Sequence, residues 1–227
     1  MNATQPSKAK VFVSRLCSSL FLYGVLLIGL FAPNETLSRA AFGGIMTLLA
    51  GLALYELFQM ARKCGLGCFP RFGSLAGIGM VGSVFWALAI YDNAELARQI
   101  EFAVVILLIP ALGICQLIAT RQRLECSAMA VTLFGILYIG VMLNLMQKIR
   151  YGAESGEWWL LFFIVVSKMS DTGAYCVGSL IGRHKMMQRV SPGKTWEGFA
   201  GAMVFSVGGA VAFFHFGEEE LPHLSFG

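Results

Sequence analysis

Residues 158–178 read WWLLFFIVVSKMSDTGAYCVG. A segment that crosses a bilayer needs about 20 mostly apolar residues. Its backbone groups must be satisfied internally, so such a segment is a helix. Trp158 and Trp159 suit the membrane interface at its start. Ser167, Lys168, Ser170 and Asp171 then interrupt the apolar run. A charge at a helix centre costs roughly 2.5–3.5 kcal/mol on insertion scales. Residues three apart lie on neighbouring turns, so Lys168 and Asp171 can partly neutralise each other. One reading is a pair that merely orients the helix. The other is a functional site, the default for intramembrane ionisable groups. It falls more on Asp171, because a lysine can snorkel to water and a short aspartate cannot.

The rest of the chain agrees with a lipid environment. Of 227 residues, 57% are hydrophobic and 13% charged, and the mean hydropathy is +0.70. A soluble domain carries about 25% charged residues, so too little charge is present to cover a soluble surface. The expected fold is all-α, a single polytopic helix bundle over 1–227. The 26 glycines fit close helix approach in lipid. Six cysteines, Cys17, Cys64, Cys68, Cys115, Cys126 and Cys176, are scattered. Cys64 and Cys68 have no neighbouring histidine to complete a zinc site, so reduced structural thiols are expected. The N-terminal apolar run has no clean small-x-small cleavage site and reads as a retained span.

Seven spans are expected, at about 16–33, 40–60, 73–91, 102–119, 127–147, 158–179 and 197–216. Alternate loops then differ in charge. One side holds Lys8, Lys10, Arg15, Arg62, Lys63, Arg71, Arg121, Arg123, Arg183, Lys185, Arg189 and Lys194. The other holds Arg39, Arg98, Lys148 and Arg150, with most of the acids: Glu35, Asp92, Glu95, Glu101, Glu154, Glu157 and Glu218–Glu220. The positive-inside rule puts the first set, and with it the N-terminus and the 6/7 loop, in the cytoplasm. A break in span 6 would move that last loop. Glu56 is a second acid near a span end, with a functional and a solvated reading equally open. Gly73-x-x-x-Gly77 and Gly178-x-x-x-Gly182 are close-packing patterns.

Residues 191–198, SPGKTWEG, contain the Gly193-Lys194-Thr195 tail of a P-loop. The first glycine of that motif would fall on Gln188, and an oily helix precedes it where a strand is required. A P-loop fold is therefore excluded. The local chemistry still suits an anion. Ser191 reads as a helix N-cap and Pro192 as the first helical residue. Gly193 leaves backbone N–H groups accessible, and helix N-termini attract phosphate. Lys194, Arg183, Lys185 and Arg189 add positive charge. An ordinary helix start in a basic loop is the alternative.

The stretches SKMSDTGAYCVGSLIGRHK (167–185) and VSPGKTWEGFAGA (190–202) closely resemble the core of the phosphatidate cytidylyltransferases, also called CDP-diacylglycerol synthases. The Asp-Thr-Gly-Ala-Tyr, Gly-x-x-x-Gly-x-His-Lys and Ser-Pro-Gly-Lys-Thr-Trp-Glu-Gly blocks occur in the family's order. LYIGVMLNLMQKIR (137–150) agrees in character. The resemblance implies a polytopic, magnesium-dependent enzyme of the inner membrane. It would make CDP-diacylglycerol and pyrophosphate from CTP and phosphatidate in phospholipid biosynthesis. It further implies Asp171 as the metal ligand, with Asp171, Lys168 and Lys194 in catalysis. Arg183, Lys185, Arg189, Ser191, Gly193, Lys194, Thr195 and Glu197 would bind substrate, and Glu197, three positions from Lys194, would orient it. Trp196 would sit at the lipid interface.

The family's C-terminal signature, with its Pro-Gly-His-Gly-Gly stretch and further acids, has no counterpart here. The chain is therefore expected to carry part of the site and to be inactive alone. Other readings are a related CTP-dependent transferase acting on another lipid phosphate, a transporter with a Lys168–Asp171 relay, and a non-catalytic remnant. A homodimer is compatible with the chain, and nothing points to nucleic acid.

Overall fold

The computed structural model describes residues 24–118, 126–187 and 191–216. It begins in a helix, α1 (24–31), followed by α2 (Glu35–Lys63), α3 (Pro70–Ala89), α4 (Ala94–Ile118), α5 (Cys126–Gly152) and α6 (Gly156–Ile181). Two short strands, β1 (Lys185–Met187) and β2 (Ser191–Thr195), precede α7 (Trp196–Phe216). Six of these helices, α2 to α7, are long and apolar enough to cross a membrane. An all-α polytopic membrane protein is what the hydropathy implied. Residues 16–23 of the first expected span, the cations before residue 16 and the tail after residue 216 lie outside the described residues.

The helices run past the apolar stretches that announced them. Asn34 caps α2 by accepting from the Thr36 and Leu37 N–H groups at 3.0 and 3.3 Å. Glu35 and Arg39 pair one turn apart, as do Glu95 and Arg98 at the start of α4. Caps and such pairs keep a helix intact in the polar interface, where hydropathy carries no signal. Arg39, Arg98, Glu101, Lys148 and Arg150, expected in loops, are consequently helical.

Two compact units divide between Tyr151 and Gly152. In the first, α2 and α3 form a helical hairpin. Its turn is a Schellman motif: Gly65, at φ +77°, donates to Arg62 O and Leu66 donates to Ala61 O, both at 3.0 Å. Gly73 and Gly77 let the two helices close. A methyl on Gly73 would lie 2.5 Å from Phe58 Cζ, and one on Gly77 would lie 2.3 Å from Leu54 Cδ1. The packing role expected for that pair is the one observed.

A polar ladder links α3, α4 and α5. Asn144 donates to Glu101 at 2.9 Å, and Gln147 donates to Asn144 Oδ1 and to Val81 O, both at 3.1 Å. Lys148 closes on the other oxygen of Glu101. Asn144 and Gln147 are fully buried. In an apolar interior such groups are held in place by the cost of leaving them unpaired. Nearer the end of α5, Arg150 donates to Leu30 O and to Ser38 Oγ at 3.2 and 3.3 Å.

The second unit is the α6–α7 hairpin with the two strands at its turn. At one end Trp158 and Phe162 stack edgewise on Phe213, and Trp159 on Phe214. At the other end, glycines bring the helices together. A methyl on Gly173 would come within 2.6 Å of Gly201 O, and one on Gly201 within 2.5 Å of Val177. Here α6 is continuous from Gly156 to Ile181, so no break displaces the loop that follows.

A candidate anion site at the α6–α7 turn

Strands β1 and β2 pair antiparallel, Lys185 with Thr195 and Met187 with Ser191, across an irregular register. This corrects the expected start of α7. Ser191 and Pro192 are strand residues, and the helix begins at Trp196. The cap is Thr195, whose Oγ1 accepts the Gly198 N–H at 3.1 Å. A threonine bonded to the third helical N–H is a standard N-cap arrangement. Proline is tolerated in β2 because a two-stranded ribbon has only edge strands. The sequence held a signal for this: Thr195 is the cap-forming residue nearest the apolar run that starts at Phe199.

Thr195 is buried, wedged against Gly178 of α6 and Gly182 just past its end. A methyl on Gly178 would stand 3.2 Å from Thr195 Oγ1, and one on Gly182 would stand 2.6 Å from it. Gly178-x-x-x-Gly182 is therefore both a packing surface and the seat of the cap.

Beside this seat lies a cavity of about 590 Å³, lined among others by Asp171, Tyr175, Gly178, Gly193, Lys194 and Thr195. Asp171 also lines a second cavity of about 420 Å³, with Ser167 and Ser170. The fold thus brings Asp171 to the same hollow as Gly193, Lys194 and Thr195, which are more than twenty residues away in sequence. Asp171 stands ten residues before the end of α6, roughly 15 Å along the axis. It lies inside the helix, as a residue that interrupts the apolar run of span 158–179 would. Lys168 is 4.0 Å from Asp171, and both side chains are largely exposed within this chain.

Arg183, Lys185 and Ser191 flank the cavity in the turn and are not among the residues that line it. Arg183, Lys185 and Lys194 are exposed and form no ion pair among the described residues. A methyl on Gly193 would meet nothing within 4 Å, so the backbone there is open to a ligand. Arg189 lies outside the described residues.

Glu197 has a different partner from the one expected. Its carboxylate accepts the backbone N–H groups of Arg183 and His184 at 3.2 Å and pairs with His184 Nδ1. It therefore ties the end of α6 to the start of α7 and is not bonded to Lys194. His184 was not among the expected site residues. The His-Lys of the 178–185 block was the available signal, but its partner is thirteen residues away. Trp196 is exposed, as a lipid-interface role requires.

Among the described residues, no three His, Cys, Asp or Glu side chains cluster as a metal cage. Cys64 and Cys68 are free thiols, and Glu56 is exposed on α2.

Residues 13–225 match the cytidylyltransferase family. The chain belongs to that family. It is 30% identical over 160 residues to a phosphatidate cytidylyltransferase of Staphylococcus saprophyticus, covering 70% of this chain and 57% of that protein. It is 24% identical over 209 residues to the phosphatidate cytidylyltransferase of Bacillus subtilis, covering 89% of this chain and 73% of the relative. A phosphatidate cytidylyltransferase of Mycobacterium tuberculosis is 43% identical over 54 residues, 24% of this chain and 16% of the relative. The chain thus spans little more than half the length of the staphylococcal relative. No solved structure matches it. Membership of this family does not favour the transporter reading. Transport sites are typically built on discontinuous helices, and α6 carries Lys168 and Asp171 without interruption.

Proposed function

We propose that this chain carries the α6–α7 part of a CTP:phosphatidate cytidylyltransferase site. The observation that supports it most is the single cavity shared by Asp171, Gly193, Lys194 and Thr195 in a member of this family. In the reaction, a phosphate oxygen of phosphatidate attacks the α-phosphorus of CTP. A new O–P bond forms, the bond to the β-phosphate oxygen breaks, and pyrophosphate leaves with the electron pair. CDP-diacylglycerol is the other product. Such transfer depends on positioning and charge neutralisation, and it needs no nucleophilic side chain of the protein.

The chain's own residues suit these tasks. Lys194 and the open backbone at Gly193 hold a phosphate group from one side of the cavity. Arg183 and Lys185 flank it, and the Glu197–His184 clasp keeps their segment beside the start of α7. Ser191, and Arg189 two residues before it in sequence, would add contacts to the triphosphate. Lys168 would balance the charge on Asp171.

Magnesium takes one or two carboxylates together with substrate phosphates. Asp171 fits as one such ligand, because its only ion partner among the described residues is Lys168 at 4.0 Å and it lines the cavity. Bound there, the ion would neutralise charge on the phosphates. The excess of cations in alternate loops supports a cytoplasmic position for this turn, and with it an enzyme of the inner membrane.

The test is CTP binding to the purified chain, with CTP- and phosphatidate-dependent release of pyrophosphate measured on protein in membranes. Lys194→Gln should weaken CTP binding about tenfold or more, the scale of a lost hydrogen bond to a charged group. Asp171→Asn should leave membrane insertion intact while any turnover falls by about 100-fold. CTP binding that is unchanged in Lys194→Gln would remove the cavity from the nucleotide site.

A further inference from the structure

A second cavity, in the first unit, has no part in that proposal. It holds about 830 Å³ at the α2–α3 turn, and Arg62, Arg71, Gln59, Tyr55, Ser74 and Leu75 are among its walls. Its two cations lie together at one end, beside Phe69, Pro70 and Phe72. Arg62 lies in the last turn of α2 and Arg71 in the first turn of α3, so both guanidinium groups belong to the same end of the hairpin. Tyr55 precedes Arg62 by seven residues, about 10 Å along the axis, and Leu75 lies one turn beyond Arg71. Tyr55 and Leu75 are 60% and 72% exposed on helices of membrane-crossing length and hydropathy. The cavity therefore carries its charge at its mouth, and the rest of its wall is mostly apolar.

No acidic side chain lines it, and neither arginine makes an ion pair among the described residues. Arginine binds phosphate through paired, fork-like hydrogen bonds. Basic pockets between membrane helices suit anionic head groups. The Schellman turn around Gly65 orders the chain immediately after Arg62, and both arginines are anchored on helices, at the end of α2 and the start of α3.

We propose that this groove binds an acidic glycerophospholipid, with the phosphate at Arg62 and Arg71 and an acyl chain along Tyr55 and Leu75. The charge of the mouth selects the anion, and the exposed apolar wall selects a lipid over a free phosphate. The groove shares no lining residue with the nucleotide cavity, and the proposal does not depend on the transferase reading.

Native mass spectrometry on the detergent-solubilised full chain tests it, with dioctanoyl phosphatidylglycerol as probe. This lipid is a phosphodiester, so it cannot enter the transfer reaction. The wild type should retain it about tenfold over dioctanoyl phosphatidylcholine, whose choline cation offsets the phosphate charge and is repelled by the two arginines. The double variant Arg62→Gln/Arg71→Gln should lose that preference. Ser74→Trp, which fills the groove and keeps both arginines, should lose it as well. Lys194→Gln should keep it. Preference surviving in either groove variant, or vanishing in Lys194→Gln, would overturn the proposal. So would displacement of the lipid by an equal concentration of inorganic phosphate.

Discussion

Thr195 Oγ1 accepts the Gly198 N–H at 3.1 Å, and this one bond sets where α7 begins. It ends the strand that carries Lys194 and lets that lysine face the cavity holding Asp171. Replacing an N-cap side chain costs about 1 kcal/mol. Thr195→Val should lower the thermal unfolding midpoint in detergent, whereas Thr195→Ser, which keeps the acceptor, should not. If the cap also positions Lys194, Thr195→Val will weaken CTP binding and Thr195→Ser will leave it near the wild-type value.

Two glycines of the same turn should respond differently to a methyl group. A methyl on Gly182 would lie 2.2 Å from Gly178 O and 2.6 Å from Thr195 Oγ1, so something must shift. Overpacking of this kind costs roughly 1–3 kcal/mol. Gly182→Ala should therefore destabilise the hairpin measurably. Gly193→Ala adds its methyl to open space and should alter stability by less than about 0.5 kcal/mol. Its effect should appear in CTP binding alone.

The Glu197 carboxylate holds two backbone N–H groups and His184 Nδ1. Glu197→Gln weakens the clasp without changing size. The Arg183–Lys185 segment should then be cut by trypsin several-fold faster while the melting temperature of the whole chain changes little. Cleavage at the wild-type rate would show that the β1–β2 pairing alone holds the segment.

In the first unit, Glu101 joins Asn144 and Lys148 in a mostly buried set of bonds. Hydrogen bonds to charged groups contribute about 1.5–3 kcal/mol. Glu101→Leu should destabilise the protein on that scale, because it leaves Asn144 and Lys148 without their acceptor. CTP affinity should stay within about twofold of wild type, since Glu101 does not line the nucleotide cavity. A large loss of affinity at full stability would assign Glu101 a part in function.

Much of this protein is determined by the sequence alone. Long apolar runs with few charges require spanning helices, because lipid offers backbone groups no partner. The 167–185 and 190–202 blocks mark the family and point to Asp171, Lys194 and Thr195. Local patterns also announced the glycine contacts of α3 and α6. Helix ends were less legible. Arg39 and Lys148 lie in polar extensions that are stabilised by pairing and carry no hydropathy signal.

Tertiary structure decided the rest of the site. Spacing along a helix pairs Glu197 with Lys194 and makes Ser191 a plausible cap. The chain instead folds back between α6 and α7, and β1 pairs with β2. That brings His184 to Glu197 and seats Thr195 against Gly178 and Gly182. These contacts join residues thirteen or more apart, and the periodicity of a single helix reaches only its own neighbouring turns. Whether a carboxylate binds the nearby lysine or a distant histidine depends on which backbone the turn presents to it.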